Sequence, residues 1–177
     1  MVLSSRIRPF FLLLPVFLSV AFPPGCGSRQ ARTGPPNETT VDRILSSLES
    51  TLMAMQGRDY RGIWTRLSAA SRNRIVDDTR KAIAQTGRED PSPGAIESDF
   101  REGGPLARNY WDGFLLRFDP NAALQESRWE MGTGGEDEAY VLITHKGAEK
   151  PAVVRLFRED GGWKVGLVET FWDQPAR

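Results

Sequence analysis

Few side chains in this sequence are of a kind that does chemistry. His145 is the only histidine and Cys26 the only cysteine in 177 residues. One imidazole and one thiol exclude a multi-histidine metal centre, a mechanism needing two imidazoles, an intramolecular disulfide and a cysteine redox pair. A single His–carboxylate dyad stays open, although Lys146-Gly147 follows His145 directly, and a turn there places the ring at the exposed end of a strand. Glu169 is the carboxylate of most interest because alternation puts it on the same side of its strand as Leu167 and Phe171. A carboxyl in apolar surroundings has a raised pKa, which suits a base; the competing reading is a wetted rim position or a pair with an arginine. The run Glu136-Asp137-Glu138 offers oxygen ligands for a divalent cation, but adjacent acids in a loop are normally solvated, so no metal or cofactor is expected. Its charge would also repel phosphate from the preceding Gly132-Thr133-Gly134-Gly135, which reads as a mobile hairpin loop. No HExxH, nucleophile elbow or phosphate-cradling glycine loop occurs.

The elements that must position these residues follow from periodicity. Residues 125–131, 138–145, 152–158 and 163–171 are rich in β-branched and aromatic residues and are separated by Gly, Pro or charged clusters, the pattern of four consecutive strands in a meander. Asp160-Gly161 suits a two-residue turn with positive φ at both positions, which sets Arg158 opposite Trp163, Leu156 opposite Val165, Val154 opposite Leu167 and Ala152 opposite Glu169. One side of that hairpin is then apolar except at its ends. The other carries Arg155, Lys164 and Thr170 between Val153, Phe157 and Val168.

Helices precede the sheet and must cover its apolar side. Val41, Ile44, Leu45, Leu48, Leu52 and Met55 recur at three- and four-residue steps after a cap at Thr39 or Thr40, and Gly57 closes that helix. Asp59 caps a short second helix with Tyr60, Ile63, Trp64 and Leu67 on one face, and a third runs from near Ser71 to Gly87. Residues 88–94 read as a loop, residues 95–101 as a helical turn or two, and Pro105 opens a helix to about Phe118, after which Asp119-Pro120-Asn121 leads into the sheet. Tyr110, Trp111 and Phe114 on this last helix face the side of the sheet that carries Trp163, Val165, Leu167 and Glu169. If the two surfaces meet fully they are core; if the sheet curves away at one end they enclose a partly open pocket with one polar group, which is the arrangement expected.

The chain suits a single domain with appendages: 40% of its residues are hydrophobic and 26% charged. Its first residues have the three parts of a secretory signal, with Arg6 and Arg8 before an apolar run over residues 10–22 and small residues before Cys26. Of 23 basic residues, Arg6 and Arg8 lie in that leader, so 21 remain against 23 acidic ones and nothing in the balance attracts nucleic acid. The run is shorter than the roughly 20 residues that span a bilayer and contains Pro15. Pro23-Pro24-Gly25-Cys26-Gly27 resembles the lipobox of bacterial lipoproteins, whose cysteine receives diacylglycerol and becomes the mature N-terminus; Gly25 matches, while Pro23 and Pro24 depart from the pattern. The resemblance implies lipidation at Cys26, export, and anchoring to the bacterial cell envelope. Gly27 lacks the aspartate that commonly retains such proteins at the inner membrane, which implies the outer membrane, facing the periplasm. Residues 27–37 bury almost nothing and read as a tether with a reach of roughly 20 Å. The expected organisation is a signal peptide over 1–25, anchor and tether over 26–39, one α+β domain over 40–172 and a tail over 173–177.

Asp59, Tyr60, Gly62, Trp64 and Leu67 in a short helix, with Gly161, Gly162, Trp163, Lys164 and Val165 at the last hairpin, resemble the nuclear transport factor 2-like superfamily, in its sub-group of bacterial lipoproteins. The resemblance covers about residues 40–171. It implies helices packed on a curved four-stranded antiparallel meander with a cavity between them. It does not imply activity, since members include enzymes and inert adaptors alike. Isomerases of this superfamily use a buried acid as base, the role open to Glu169, and some of its dehydratases use a His–Asp dyad, the role open to His145. Two functions follow as expectations. One is a non-enzymatic envelope module binding a small apolar ligand or a protein partner, with Tyr110, Trp111, Phe114, Trp163 and Glu169 as its site; the other is a small lyase or isomerase using Glu169 or His145. The scarcity of pairable catalytic groups favours the first.

Overall fold

Asn37 accepts a hydrogen bond from the Thr40 amide at 2.9 Å and caps α1 (Glu38–Gln56) two or three residues before the expected start. The computed structural model describes residues 37–87 and 91–171; the segment read as a signal peptide, Cys26, most of the stretch read as a tether, residues 88–90 and the residues read as a tail lie outside them. Most of a helix's stability in a protein comes from packing of its apolar face, so that face decides the matter. Ile44, Leu48, Leu52 and Met55 are all buried, at about 1.5–3 kcal/mol for each fully buried large apolar side chain.

Asp59 caps α2 (Tyr60–Arg66) through the Gly62 amide at 2.9 Å. Gly62 is required there. A Cβ on it would lie 2.0 Å from Asp59 Oδ2 and 2.9 Å from Arg66 Nη1, so only glycine lets the cap close beneath the Arg66 side chain. Ser68 then caps α3 (Ala69–Gln85), and Ser92 caps α4 (Pro93–Glu102), which is longer than the turn or two expected because Pro93 sits in its first turn. Next comes α5 (Pro105–Leu115). Asp119 and Pro120, expected to lead straight into the sheet, instead cap and open a further helix, α6 (Pro120–Gln125).

The sheet is an antiparallel meander in the order β1 (Ser127–Met131), β2 (Glu138–His145), β3 (Ala152–Glu159) and β4 (Gly162–Gly166). The molecule is therefore an α+β protein with helices first and a four-stranded antiparallel sheet after them. Asp160 and Gly161 have φ of 51° and 76°, the two positive values the turn demands, and Arg158–Trp163 and Leu156–Val165 pair as the turn dictates. The sheet's inner face puts Ala139, Val141, Ile143, Val154, Leu156 and Val165 into one core with α1 and α2.

The expected register fails beyond Gly166. Pairing of β3 with β4 ends at Arg155–Gly166, and the residues read as the end of the last strand form a helical turn, α7 (Leu167–Phe171). Val154–Leu167 and Ala152–Glu169 pairs therefore do not exist, and Val168, expected on the open face, is buried. Side-chain hydroxyls replace the ladder. The Arg155 amide donates to Thr170 Oγ1 at 3.0 Å, Thr170 Oγ1 donates to Gly166 O at 2.5 Å, and the Val168 amide donates to Ser71 Oγ at 3.0 Å. Gly166 permits the bend because any Cβ would lie 2.5 Å from the Phe157 ring. No helix among the described residues is long and apolar enough to cross a membrane.

Candidate functional site

The two residues proposed for acid–base chemistry lie apart, and neither lines the α1–hairpin groove or the α3–α5 cleft described below. Because α7 replaces the end of the strand, Glu169 leaves the sheet and turns to the start of α3. Ser68 Oγ donates to its Oε1 at 2.7 Å and Ser71 Oγ to its Oε2 at 2.5 Å. Both serines are buried, and Ser68 Oγ also accepts from the Ser71 amide, so this cluster ties α3 to α7. A carboxylate with a hydroxyl on each oxygen has its acceptors engaged within the protein and performs a structural task. His145 is exposed at the end of β2, opposite Ser127.

The aromatic residues of α5 face other helices. Trp111 has no solvent exposure. Rings run in sequence from Trp64 to Phe100 (4.9 Å between centroids), Tyr110 (5.5 Å), Trp111 (5.0 Å), Phe114 (5.9 Å) and Phe118 (5.4 Å), a chain joining α2, α4 and α5. Burial, and after it the charge of Asp78, push the Tyr110 hydroxyl up to about 12. Tyr110 also lines a mainly apolar cleft between α3 and α5 with Thr79, Ile83 and Leu106, of about 340 Å³, in which Thr79 Oγ1 is buried without a hydrogen-bond partner.

Trp163 lines a different cavity. This groove, of about 350 Å³, runs between the first four turns of α1 and the β3–β4 hairpin. Helix α1 contributes Thr40, Arg43, Ser46, Ser47 and Ser50; Arg66 comes from the end of α2, Arg158 from β3, and Gly161, Gly162 and Trp163 from the turn and β4. Ser47 Oγ donates to Trp163 O at 2.6 Å and fixes the helix against the strand. The three arginines carry the character of the site. No carboxylate lines the groove, and none of the three forms an ion pair with a described residue. Glu159, next to Arg158 in sequence, is drawn to the N-terminus of α3, where it accepts from the Ala69 amide at 2.9 Å. Arg43 Nε donates to Thr39 O at 3.2 Å and Arg66 Nη1 to Gly62 O at 2.8 Å, which orients both guanidiniums while leaving most of their donors free. Three cations and several hydroxyls in one recess make an anion-binding arrangement.

The outer face of the sheet offers less. Its central Arg155 is held by Glu138 (2.9 Å from Nε) and lies over the Tyr140 and Phe157 rings at 5.9 and 5.3 Å. Among the described residues no group of three or more His, Cys, Asp or Glu could hold a metal ion.

Tyr110, Trp111, Phe114, Trp163 and Glu169 thus fall in separate places: an interior ring chain that reaches the α3–α5 cleft, the α1–hairpin groove, and the α3–α7 junction. The groove arginines and serines went unnoticed in the sequence, yet Thr40, Arg43, Ser47 and Ser50 recur at three- and four-residue steps beside the apolar stripe of α1. A second stripe of hydroxyls with one arginine, together with Arg158 facing Trp163 at the polar end of the hairpin, was the available signal. Comparison with protein-family models, with curated proteins and with solved structures finds no match to this chain.

Proposed function

We propose that this chain is an exported, lipid-anchored binding module of the bacterial cell envelope, without catalytic activity, that holds a small anionic ligand in the groove between α1 and the β3–β4 hairpin. One observation carries the reading: Arg43, Arg66 and Arg158 line one cavity with hydroxyls and no carboxylate. Its volume, about 350 Å³, falls at the low end of the range of small-molecule sites. The lyase or isomerase alternative loses support because Glu169 has a serine hydroxyl on each oxygen. The lipobox-like Gly25-Cys26 after the apolar run supports the anchor, and helices followed by an antiparallel meander are compatible with the nuclear transport factor 2-like cone that the motifs resemble.

Calorimetric titration with small anions tests the binding proposal. Wild-type protein is expected to take up phosphate or a carboxylate in a salt-sensitive manner, and the Arg66→Ala/Arg158→Ala double variant to lose that uptake; equal uptake by both would refute the site. The anchor is tested separately: Cys26→Ser is expected to move the protein from the detergent phase to the aqueous phase in a phase-partition assay, whereas a wild type that is itself aqueous contradicts lipidation.

A second reading concerns a small apolar ligand in the α3–α5 cleft, favoured by its mainly apolar wall, which includes Ala82, Ile83 and Leu106. An apolar fluorescent dye that the wild type binds and a Thr86→Trp variant does not would support it.

A further inference from the structure

We infer that the anion taken by the α1–hairpin groove is a phosphate ester rather than a carboxylate. This rests on the anion-binding reading above and narrows its chemistry. A carboxylate carries one charge and two oxygens, which a single arginine fork satisfies in bidentate fashion. In this groove that would leave two further guanidiniums in a cavity of about 350 Å³ whose lining holds no carboxylate, the Asp59 carboxylate near Arg66 lying outside it. A phosphate monoester carries about −1.5 to −2 at neutral pH and three strong acceptor oxygens, which matches three forks approaching from three elements.

The donors left over fit the same count. A guanidinium has five N–H donors, and Arg43 and Arg66 each commit one to a backbone carbonyl. Ser47 is engaged with Trp163 O, while the hydroxyls of Thr40, Ser46 and Ser50 make no hydrogen bond with a described residue and line the same wall. The recess is wider than a phosphate alone needs, which leaves the remainder of the ester against Trp163.

Two sources present this chemistry, a lipid headgroup and a soluble phosphate ester. The groove flanks the beginning of α1, and the sequence between Cys26 and Asn37 has a reach of roughly 20 Å, so a lipid anchor would keep headgroups within range.

The full-length Cys26→Ser chain, which cannot be acylated, separates the possibilities. Calorimetric titration with glycerol 3-phosphate and with glycerate compares the two anions, and co-sedimentation compares phosphatidylcholine vesicles with and without phosphatidic acid. Binding of glycerol 3-phosphate or of the phosphatidic acid vesicles is expected to be at least tenfold stronger than that of glycerate or pure phosphatidylcholine. Whichever phosphate probe binds more tightly identifies the source. Arg66→Ala and Arg158→Ala should each weaken that binding about tenfold or more, and Arg66→Lys should fall between, because an ammonium keeps the charge and loses the fork. Arg128→Ala, at an exposed position on β1, should change nothing. Glycerate binding as tightly as glycerol 3-phosphate overturns the phosphate assignment and leaves the anion site standing. Binding of neither anion nor vesicle overturns both, and an equal loss on Arg128→Ala reduces the effect to general surface charge and overturns the site.

Discussion

The aromatic interior around α5 and the polar groove beside α1 have similar helical spacing in the sequence and opposite fates in the fold. Trp64, Phe100 and Trp111, linked through Tyr110, are buried in one ring chain, whereas Arg43, Arg66 and Arg158 line a recess whose wall holds no carboxylate. The difference lies in what each surface needs from its neighbour. Aromatic rings gain from contact with any apolar partner, so a helix rich in them seals itself. Guanidiniums need hydrogen-bond acceptors or opposite charge to offset their desolvation, and a groove lined by three of them and no carboxylate stays open. Density of aromatic residues is therefore a poor guide to a cavity in this chain, and unpaired charge a better one.

The contrast can be broken most forcibly at Trp111. If its surroundings are solid core, Trp111→Ala should cost about 3–5 kcal/mol in denaturant melts; a loss below about 1 kcal/mol would mean that the interior is open there and the two regions are alike. A smaller effect sits beside it at Tyr110. Its hydroxyl is raised from 10.0 to about 12, so the stability contributed by keeping it neutral is complete below pH 10 and is lost as pH rises through about 12. About 2–3 kcal/mol should disappear over that window and should be absent in Tyr110→Phe, measured as the difference between the two proteins' alkaline unfolding curves.

Smaller again is the α3–α7 junction. Ser71→Ala removes a hydroxyl that donates to Glu169 and accepts from the Val168 amide, and should cost about 1–3 kcal/mol by leaving buried groups unpaired. A neutral result would show that Glu169 has other support and return it to consideration as a reactive carboxylate. At the bottom of the scale, Arg66→Ala should change stability by no more than about 0.5 kcal/mol, because no ion pair is lost. A large destabilisation there would mean that the groove is held together by contacts other than those found.

How much of this was legible in the sequence differs from element to element. The apolar stripe of α1, the Asp59 cap and the Asp160-Gly161 turn are local signals, and each formed as read. The α6 helix and the conversion of residues 167–171 into α7 were not legible. Alternation of Leu167, Glu169 and Phe171 is compatible with a strand, and what ends the strand is a set of distant partners, Ser71 on α3 and Arg155 on β3, that no local pattern discloses. Glu169 was misplaced for the same reason. The groove was half legible: its α1 stripe is periodic, but Arg66 and Arg158 join it only through the packing of α2 and the hairpin against α1.

The central claim, that the α1–hairpin groove is the anion site, is tested most directly by recording backbone amide and arginine side-chain NMR signals while inorganic phosphate is added. The account expects concerted, saturable shifts at Gly161, Gly162 and Trp163 and at the Nε signals of Arg43, Arg66 and Arg158, with the amides around Thr79 and Tyr110 unmoved. Signals at the groove that stay still, or shifts spread evenly over all exposed arginines including Arg128, would contradict it.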